Sequence, residues 1–347
     1  MRAGHNGGVA PATAVVLTQV GGPDDQAAVK PYLQSFFSDP DLIRLPWWMK
    51  PLQGLFAWAL ASARAPYSRS LYASIGGGSP IRGQTQAQAD ALRRELQKRG
   101  REMDVYVSMR HSQPNSLAAM QAARRAGIDR LVIVGLFPQY SFSTTLSGIV
   151  GVKNALKSLR YGPQLLIVEE YCDDPRYVAA VTDVTRRALR AFSAPAHEVN
   201  LIFSAHGLPV SYIEAGDPYY EHVQRSVRAV SQQLQHPGPI HTSFQSRLGP
   251  QKWLEPASDK LIEELAAKGV NAMCIVPIAF VSEHVETLNE IDIQYGDIAK
   301  RSGVSEFHRA CAVKCHPLFI QALADQVEKA LSDPSAAARE PALNRAR

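Results

Sequence analysis

Short apolar runs alternate with longer amphipathic stretches along most of the 347-residue chain, and this alternation limits the fold more than any other feature. The runs are rich in β-branched residues, as in strands that are buried on both faces of a sheet. Strands that alternate with helices at this spacing form right-handed crossovers and parallel sheets. The predicted strands are Ala14–Val20, Asp104–Met109, Leu131–Leu136, Leu165–Val168, Leu201–Phe203, Thr242–Gln245 and Ala272–Val276.

Stretches of helical period lie between most of these strands, so two doubly wound halves are expected. The predicted helices are Thr85–Lys98, Asn115–Ala126, Pro175–Phe192, Tyr219–Gln235 and Ala257–Lys268. Because Arg160-Tyr161-Gly162-Pro163 breaks the pattern, the halves are predicted to cover residues 14–160 and 161–315. A last helix over 316–331 is expected to pack on the body, with loose tails over 1–13 and 332–347.

The composition excludes several classes of protein. Hydrophobic residues make up 46% of the chain and charged residues 20%, which is typical of globular proteins. The formal net charge is only +5 and the chain has no block of five or six like charges, so no nucleic-acid partner is expected. Four cysteines exclude a disulfide scaffold. No spanning helix and no apolar signal core are visible, so a cytoplasmic protein is expected.

An acidic segment contrasts with this basic chain. From Val281 to Ala299 there are five acids and no Lys or Arg, and on a helix Glu286, Glu290 and Gln294 would follow one another at one-turn intervals. The segment could be a solvated acidic face, or it could hold a cation or accept protons. Because His284 and the acids directly follow an apolar strand, the functional interpretation is favoured.

Two further features are ambiguous from the sequence alone. His206 also follows an apolar strand, where it could cap the core or act as a base near neutral pH. The stretch Gly76–Pro80 lacks the spacing of a Walker A or dinucleotide-binding loop, so we predict a turn, with a flat ligand against bare backbone as the alternative.

An aromatic segment over 42–67, termed the lip, holds three of the four tryptophans within twelve positions. Prolines and basic residues interrupt its apolar face, which favours a cover over an apolar ligand or a contact with a membrane interface over a simple core helix. The residues expected at its surface are Trp47, Trp48, Met49 and Trp58.

Distinctive short strings recur in a fixed order along the chain. They are Gly21-Gly22-Pro23, Phe37-Ser38-Asp39-Pro40-Asp41, Ile75 to Pro80, Met109-Arg110, Pro138-Gln139-Tyr140-Ser141 with Ser143-Thr144-Thr145, Ser204 to Pro209, Gly216-Asp217-Pro218-Tyr219, Gln245-Ser246-Arg247 with Trp253-Leu254, and Phe280 to Asp292. In this order they resemble the ferrochelatase family, which inserts ferrous iron into porphyrin. The resemblance runs from about Val15 to about Val327.

The resemblance implies an α/β chelatase fold of two similar Rossmann-like halves. Each half would hold a parallel four-stranded sheet flanked by helices, with a porphyrin cleft between the halves. It implies that His206 and Glu286 are catalytic and hold the metal, and that His284 and Glu290 support them. The positions that match porphyrin-binding residues are Val20, Arg64, Arg110, Tyr140, Ser143 and Trp253.

This chain departs from the family pattern at two places that matter. The acidic row usually extends one turn further, where this chain has Gln294. Phe142 stands where many iron–sulfur members have a cysteine, and their cysteine-rich tail is absent. No cofactor is therefore expected, and a [2Fe–2S] cluster is not expected either. An unconventional cluster at Cys311 and Cys315 stays open, although Cys-x-x-x-Cys without a second pair is a weak motif.

The function expected from this resemblance is insertion of Fe(II), as a substrate, into protoporphyrin IX to form haem. His206 is expected to accept a pyrrole proton on one face of a bent ring, while Glu286 guides the metal on the other face. The alternatives are a chelatase for another pair, such as cobalt or coproporphyrin, and a non-catalytic porphyrin carrier. Peripheral contact with the inner membrane face and a monomer or homodimer are also expected.

Overall fold

The computed structural model describes residues 11–39 and 47–333, with the side chains of Trp47 and Lys50 outside this description. The strands of the described residues form two parallel sheets of four. They are β1 Thr13–Gln19, β2 Asp104–Met109, β3 Arg130–Gly135, β4 Gln164–Val168, β5 Asn200–His206, β6 Ile240–Gln245, β7 Ala272–Pro277 and β8 Glu306–Arg309.

Helices flank both sheets. They are α1 Val29–Phe37, α2 Gln53–Ala73, α3 Ile81–Lys98, α4 Ser116–Arg125, α5 Ser147–Leu159, α6 Pro175–Leu189, α7 Val210–Glu214, α8 Tyr219–Leu234, α9 Ser258–Ala267, α10 Gly296–Arg301 and α11 Pro317–Ser332. A 3₁₀ turn covers Trp47–Leu52, and π-helical segments cover Phe142–Leu146 and Glu286–Tyr295.

The two sheets have the same topology. The strand order is β2-β1-β3-β4 in the first sheet and β6-β5-β7-β8 in the second. In the centre of the first sheet, Val15 lies opposite Val105 on one side and Val132 on the other. These valines are buried because helices cover both faces of the sheet. The predicted fold of two similar Rossmann-like halves is therefore confirmed.

The sheets divide the chain later than the predicted boundary at 160/161. Strand β4 begins at Gln164, yet it pairs with β3 in the first sheet, so the division comes after Val168. The break at Arg160 is the end of α5, where this residue adopts a left-handed conformation with φ of 49°. A helix C-cap and a linker carry the same residue types, which explains the early boundary.

Two other bounds also differ from the sequence prediction. Strand β1 begins at Thr13, and the Ala12 carbonyl accepts hydrogen bonds from Asp129 and Arg130, so the ordered body begins before residue 14. Strand β8 was not predicted, since its sequence, Glu-Phe-His-Arg, is mostly polar. It lies at the edge of the second sheet, where its residues are only half-buried.

Buried polar contacts join the two halves. The Gln139 amide of the first half donates to the carbonyl of Ile278 in the second half at 3.2 Å. Within the second half, the Tyr177 hydroxyl donates to the same carbonyl at 2.9 Å. On the other side of the body, the Gln88 amide donates to the carbonyl of Val281 at 3.0 Å. Because Val281 precedes the acidic segment, this bond fixes the start of that segment against the first half.

The lip has its own small core. Apolar residues of α1 and α2 pack together, and Val285, between His284 and Glu286, packs against them. The outer face of the lip is apolar and exposed. Its large exposed side chains are Trp48, Leu52, Leu55, Trp58 and Tyr67. The lip residues 42–46 lie outside the described residues. No helix in the described part of the chain combines the length and the apolar character needed to cross a membrane.

The glycine-rich stretch is a turn between α2 and α3, as predicted. Gly76 and Gly77 have φ values of 103° and 99°, which favour glycine. The Gly77 amide donates to the Tyr72 carbonyl, and a Cβ atom on Gly78 would lie 2.1 Å from the Asp24 carbonyl oxygen. The positive φ values therefore account for Gly76 and Gly77, and close backbone packing accounts for Gly78.

Candidate active site

The site is built at the carboxyl ends of the parallel strands, where open α/β sheets bind ligands. In the first half, Val20 follows β1 and Arg110 follows β2. In the second half, His206 ends β5, Ser246 follows β6 and His284 comes after β7. Five of the strand ends thus supply a predicted site residue or one of its direct partners.

His206 and Glu286 form a pair that is open to solvent. The imidazole Nε2 of His206 lies 3.5 Å from Oε1 of Glu286, and the two side chains are 34% and 32% exposed. On its other side, Nδ1 of His206 donates to the carbonyl of Gly207 at 2.6 Å. The carbonyl fixes the orientation of the ring, so Nε2 points at the carboxylate.

The pair holds opposite charges at neutral pH. Burial alone would lower the pKa of His206, but Glu286 outweighs it and raises this pKa to about 9. Burial would likewise raise the pKa of Glu286, but His206 and then His284 outweigh it and lower this pKa to about 2. The resting imidazole is therefore protonated, and it must lose that proton before it can serve as a base.

The short separation also corrects an expectation from the sequence. A flat ring between two side chains needs about 7 Å, or two van der Waals contacts of about 3.5 Å each. His206 and Glu286 are only 3.5 Å apart, so no ring fits between them as they stand. The prediction that they act on opposite faces of the ring is wrong for this arrangement. Both side chains face the same part of the cleft.

His284 supports Glu286 from behind. Its Nδ1 accepts the backbone N–H of Glu286 at 3.0 Å, and its Nε2 lies 3.9 Å from the Glu286 carboxylate. The ring of Phe280 packs edge-on against it at 4.5 Å. Burial lowers the pKa of His284. A neutral imidazole with the proton on Nε2 suits these contacts.

Glu290 is held by four donors. The Ser246 backbone N–H and the Tyr295 hydroxyl donate to Oε1 at 2.8 and 2.9 Å, and the Ser246 hydroxyl donates to Oε2. The Gln245 amide donates both to Glu290 Oε2 and to the carbonyl of Glu286. Burial, and then the charge of Glu286, raise the pKa of Glu290. Glu290 is thus the more easily protonated of the two acids.

The acidic segment is a π-helix and not the α-helix that its spacing predicts. Tyr295 reaches Glu290 across five residues, and the Gln294 amide reaches Asn289 across five residues at 2.5 Å. Asn289 in turn donates to Ser74 at the end of α2. Gln294 therefore bonds to Asn289, and the row of acids ends at Glu290.

Two acids of the segment have a structural partner. Arg309 of β8 binds Glu283 at 2.9 Å and Asp292 at 2.7 Å. Burial would raise the pKa of Glu283, but Arg309 outweighs it and keeps the pKa below its usual value. These charges are compensated locally, which leaves Glu286 and Glu290 as the acids available to the cleft.

Two tyrosines that the sequence analysis missed lie close to Glu286. Tyr32 belongs to α1 and Tyr72 to α2. Burial raises the pKa of both hydroxyls, and the charge of Glu286 raises them further. Their sequence pattern is that of ordinary core residues in amphipathic helices, so no signal could have distinguished them.

Arg110 is fixed in the first half by a buried carboxylate. Its guanidinium binds Asp39 at 2.7 Å and donates to the Ser147 hydroxyl at 2.8 Å. His111 lies 3.7 Å from the same carboxylate, and burial lowers the pKa of His111 to about 4. Arg110 therefore balances the charge of Asp39, and this ion pair holds the guanidinium of Arg110 in place.

A chain of hydrogen bonds links the loop after β3 to His206. The Ser141 hydroxyl, which lies 3.0 Å from the Ser143 hydroxyl, donates to Asp217 at 2.8 Å. Asp217 accepts the backbone N–H of Tyr219, whose hydroxyl donates to the His206 carbonyl at 3.0 Å. Ser143 and Tyr140 are thereby held in register with the second half, although Ser143 itself contacts Ser141 and not His206.

The remaining predicted residues lie around this centre. Trp253 packs beside Gly207, since a Cβ atom there would lie 3.4 Å from the indole. Its indole N–H is buried without a hydrogen-bond partner. Arg64 is exposed on α2, stacked 4.5 Å over Tyr67, and Trp58 has Lys30 at 5.0 Å from its ring. These lip residues do not touch the His206–Glu286 pair.

The cysteines divide into two buried and two exposed thiols. Cys274 lies within β7, as predicted, and Cys172 is also buried. Cys311 and Cys315 are exposed and line a cavity of about 540 Å³ together with Arg187. This cavity is at the β8–α11 connection, away from the cleft.

Comparison with known proteins identifies relatives over nearly the whole chain. The family described as Ferrochelatase matches residues 12–331. A ferrochelatase from Cyanothece sp. is 42% identical over 330 residues, covering 92% of this chain and 83% of the relative. One from Synechococcus sp. is 43% identical, covering 94% and 95%. Among solved structures, SirB from Bacillus subtilis is similar in fold, with a TM-score of 0.53, 12% identity and coverage of 92% and 96%.

Proposed function

Because this chain belongs to the ferrochelatase family, whose members insert ferrous iron into a porphyrin for haem synthesis, we propose that His206 and Glu286 carry out the insertion together on one face of the ring. The observation that carries this proposal is their 3.5 Å contact, open to the cleft. Two groups this close can serve one reacting centre, one as metal ligand and the other as base.

In the resting state the carboxylate of Glu286 is paired with the imidazolium of His206. When Fe(II) reaches Glu286, it binds the carboxylate in place of the imidazolium and repels the positive charge of His206. The pKa of His206 then falls below about 9, and the ring releases its proton. The arriving metal thus produces the neutral imidazole, which accepts in turn the two pyrrole protons that Fe(II) displaces and passes on the first before it takes the second.

Glu290 provides the next proton site. Its raised pKa makes it the better acceptor of the two acids, and Ser246 and Tyr295 fix its position. A proton that leaves His206 can pass through solvent to Glu290, because the Glu286 carboxylate then holds the metal. Because Gln294 bonds to Asn289, we propose that the relay leaves the row at Glu290 and continues through solvent.

The first half holds and bends the macrocycle. Val20, Arg110 and Tyr140 lie at strand ends of that half, and Trp253 borders His206 in the other half. Strain of about 1–5 kcal/mol, supplied by binding energy at the ring edge, would tilt the pyrroles and expose the nitrogen lone pairs to the metal. The rigid anchoring of Arg110 by Asp39 is what such a clamp requires.

We propose protoporphyrin IX as the porphyrin and the lip as its route from the membrane. Trp48, Leu55 and Trp58 are 62%, 64% and 50% exposed, next to Lys30 and Arg64. An apolar face with a basic edge suits both a membrane interface and a macrocycle whose edge is mostly apolar. Coproporphyrin carries four carboxylates, which this face matches less well.

No iron–sulfur cluster is proposed. Phe142 occupies the position of a family cluster cysteine, and Cys311 and Cys315 are exposed thiols at the far connection. Fe(II) is a substrate of the proposed reaction and not a resident cofactor.

The proposed reaction is tested by mixing the metal-free protein with protoporphyrin IX and Fe(II) without oxygen. Metallation above the uncatalysed rate, with many rings converted per protein, is the expected result. Binding of porphyrin without turnover would indicate a carrier. A higher kcat/KM with coproporphyrin, or with Co(II) in place of Fe(II), would assign the chain to another chelatase reaction.

A further inference from the structure

A second cluster of metal-ligating side chains lies outside the cleft. Within the described ranges 11–39 and 47–333, one set of three such residues places its donor atoms within 4.8 Å of one another. These are Glu170, Cys172 and His222, here called the Glu170 cluster. Cys172 is fully buried, whereas Glu170 and His222 are half-buried. A cation could therefore reach the cluster from the side of the carboxylate and imidazole.

The cluster joins the connection that follows the first half to a helix of the second half. Glu170 and Cys172 lie on the turn after β4, whereas His222 is in the first turns of α8. The turn is already ordered, since the Cys172 amide donates to Glu170 Oε2 at 3.0 Å and the Ser226 hydroxyl of α8 donates to the Cys172 carbonyl at 2.6 Å. The ligand atoms are thus brought together before any ion is present.

The donor set is selective. A carboxylate, a thiol and an imidazole together suit borderline cations such as Zn²⁺ and Co²⁺, and not the all-oxygen preference of Mg²⁺ or Ca²⁺. Burial, and then the charge of Glu170, raise the pKa of the Cys172 thiol. Burial lowers the pKa of His222, so its imidazole is neutral. The metal-free cluster holds one negative charge, on Glu170, which Arg225 offsets at 3.2 Å.

Binding of a metal ion would break two contacts that the cluster residues now make. Arg225 can leave Glu170 at little cost, because its guanidinium also binds Asp173 at 2.7 Å. A neutral imidazole has one acceptor nitrogen, and that of His222 now accepts the backbone N–H of Tyr140 at 3.2 Å. An ion on this imidazole would replace that bond, so metal occupancy would be linked to the backbone at Tyr140.

We propose that Glu170, Cys172 and His222 bind a Zn²⁺-class cation, with water in the fourth position, as a clip between the connection after β4 and α8, behind the Tyr140 loop. On binding, Cys172 releases its thiol proton, and the carboxylate and thiolate balance the dipositive ion. The site contains a thiol, unlike the His206–Glu286 pair, so it is distinct from the site proposed for substrate iron and stands independently of that proposal.

Co²⁺ is the probe that separates the two sites, because a cobalt–thiolate bond gives a charge-transfer absorption in the near ultraviolet. The full-length protein is freed of metal with a chelator and titrated with Co²⁺ without porphyrin or oxygen. We expect a thiolate band that saturates at one Co²⁺ per chain, with about one proton released. Affinity should fall about tenfold for each pH unit lowered, as expected for one released proton.

Substitutions show which residues bind the Co²⁺ that gives the thiolate band. Cys172→Ser should lose it, and His222→Gln and Glu170→Gln should weaken Co²⁺ binding at least ~10-fold. His206→Ala and the double variant Cys311→Ser with Cys315→Ser should keep the band. If Cys172→Ser does not fold, His222→Gln and Glu170→Gln test whether the band comes from this cluster. In addition, Zn²⁺ should raise the unfolding temperature of the wild type but not of His222→Gln. Absence of a thiolate band in the wild type, or a band that all three cluster variants retain, would overturn the proposal.

Discussion

The imidazole of His206 and the carboxylate of Glu286 lie 3.5 Å apart, and their side chains are 34% and 32% exposed. Each keeps the other charged, with a pKa of about 9 for His206 and about 2 for Glu286. In the mechanism proposed above, the base and the metal ligand neutralise one another until the metal arrives, which would tie proton removal to the presence of the metal.

Glu286→Gln tests the coupling through the titration of His206. With the carboxylate gone, only burial and weaker neighbours act on the imidazole, so its pKa should fall from about 9 to below the usual value of 6.5. The imidazole of His206 would then gain and lose its proton at a lower pH than in the wild type. The measurement is a histidine NMR titration, with His206→Ala used to assign the signal. An unchanged pKa in Glu286→Gln would contradict the ion pair.

The same substitution should also lower turnover. Glu286→Gln preserves the shape of the side chain but removes the charge that attracts Fe(II), so kcat should fall while the porphyrin dissociation constant changes little. Asp297→Asn is the matched control, since it removes one exposed acid just beyond the π-helical segment. Full activity in Glu286→Gln would return the acidic segment to the interpretation of a solvated face.

Gln294→Glu should leave activity intact. Gln294 donates to Asn289, and the proposed relay already ends at Glu290, so a further acid adds a proton site without removing one in use. The steady-state kcat is compared with that of the wild type. A loss of tenfold or more would show that the Gln294–Asn289 bond itself is required.

The purified protein is expected to be colourless apart from bound tetrapyrrole. The family resemblance implies that Phe142 stands where iron–sulfur members have a cluster cysteine, and Cys311 and Cys315 are the exposed thiols among the described residues. Acid-labile sulfide should be absent in protein prepared without oxygen. A stoichiometric sulfide signal that Cys311→Ser abolishes would instead establish an unconventional cluster.

The lip is tested by replacing its exposed indoles. Trp48→Ser with Trp58→Ser removes two side chains that are 62% and 50% exposed, and should reduce sedimentation with anionic vesicles. High salt should weaken wild-type binding as well, because basic residues border the lip. Leu117→Ser, which removes an exposed apolar residue from α4, is the control.

Porphyrin affinity separates the two roles of the lip. If the wild type ignores vesicles while the double variant binds porphyrin more weakly, the lip covers the cleft and the membrane proposal fails. Normal porphyrin affinity together with lost vesicle binding would support the membrane contact alone.

The sequence predicts the parallel architecture well because a strand buried on both faces must be apolar. The run at Ala272–Val276 is an example, and it matches β7 within one residue. Strand β8 was missed for the converse reason, since Glu306 and Arg309 bond outwards from a sheet edge. Its edge is defined by pairing with β7, which no local pattern encodes.

The residues of the site likewise divide into those that the sequence could locate and those that it could not. His206, His284 and Glu286 could be located because they follow apolar strands, and strand ends meet at one edge of a sheet. The π-helical winding that sends Gln294 to Asn289 could not, since α and π segments share the same residue preferences. Nor could the approach of Tyr32 and Tyr72 to Glu286, which depends on how the lip packs against the second half.

The most direct measurement of the central claim is the rate of metal insertion by His206→Ala under anaerobic single-turnover conditions, together with its porphyrin dissociation constant. If His206 accepts the pyrrole proton, the variant should bind porphyrin as the wild type does and metallate it at least ~100-fold more slowly, the usual scale for a positioned base. Metallation at the wild-type rate with porphyrin fully bound would contradict the assignment.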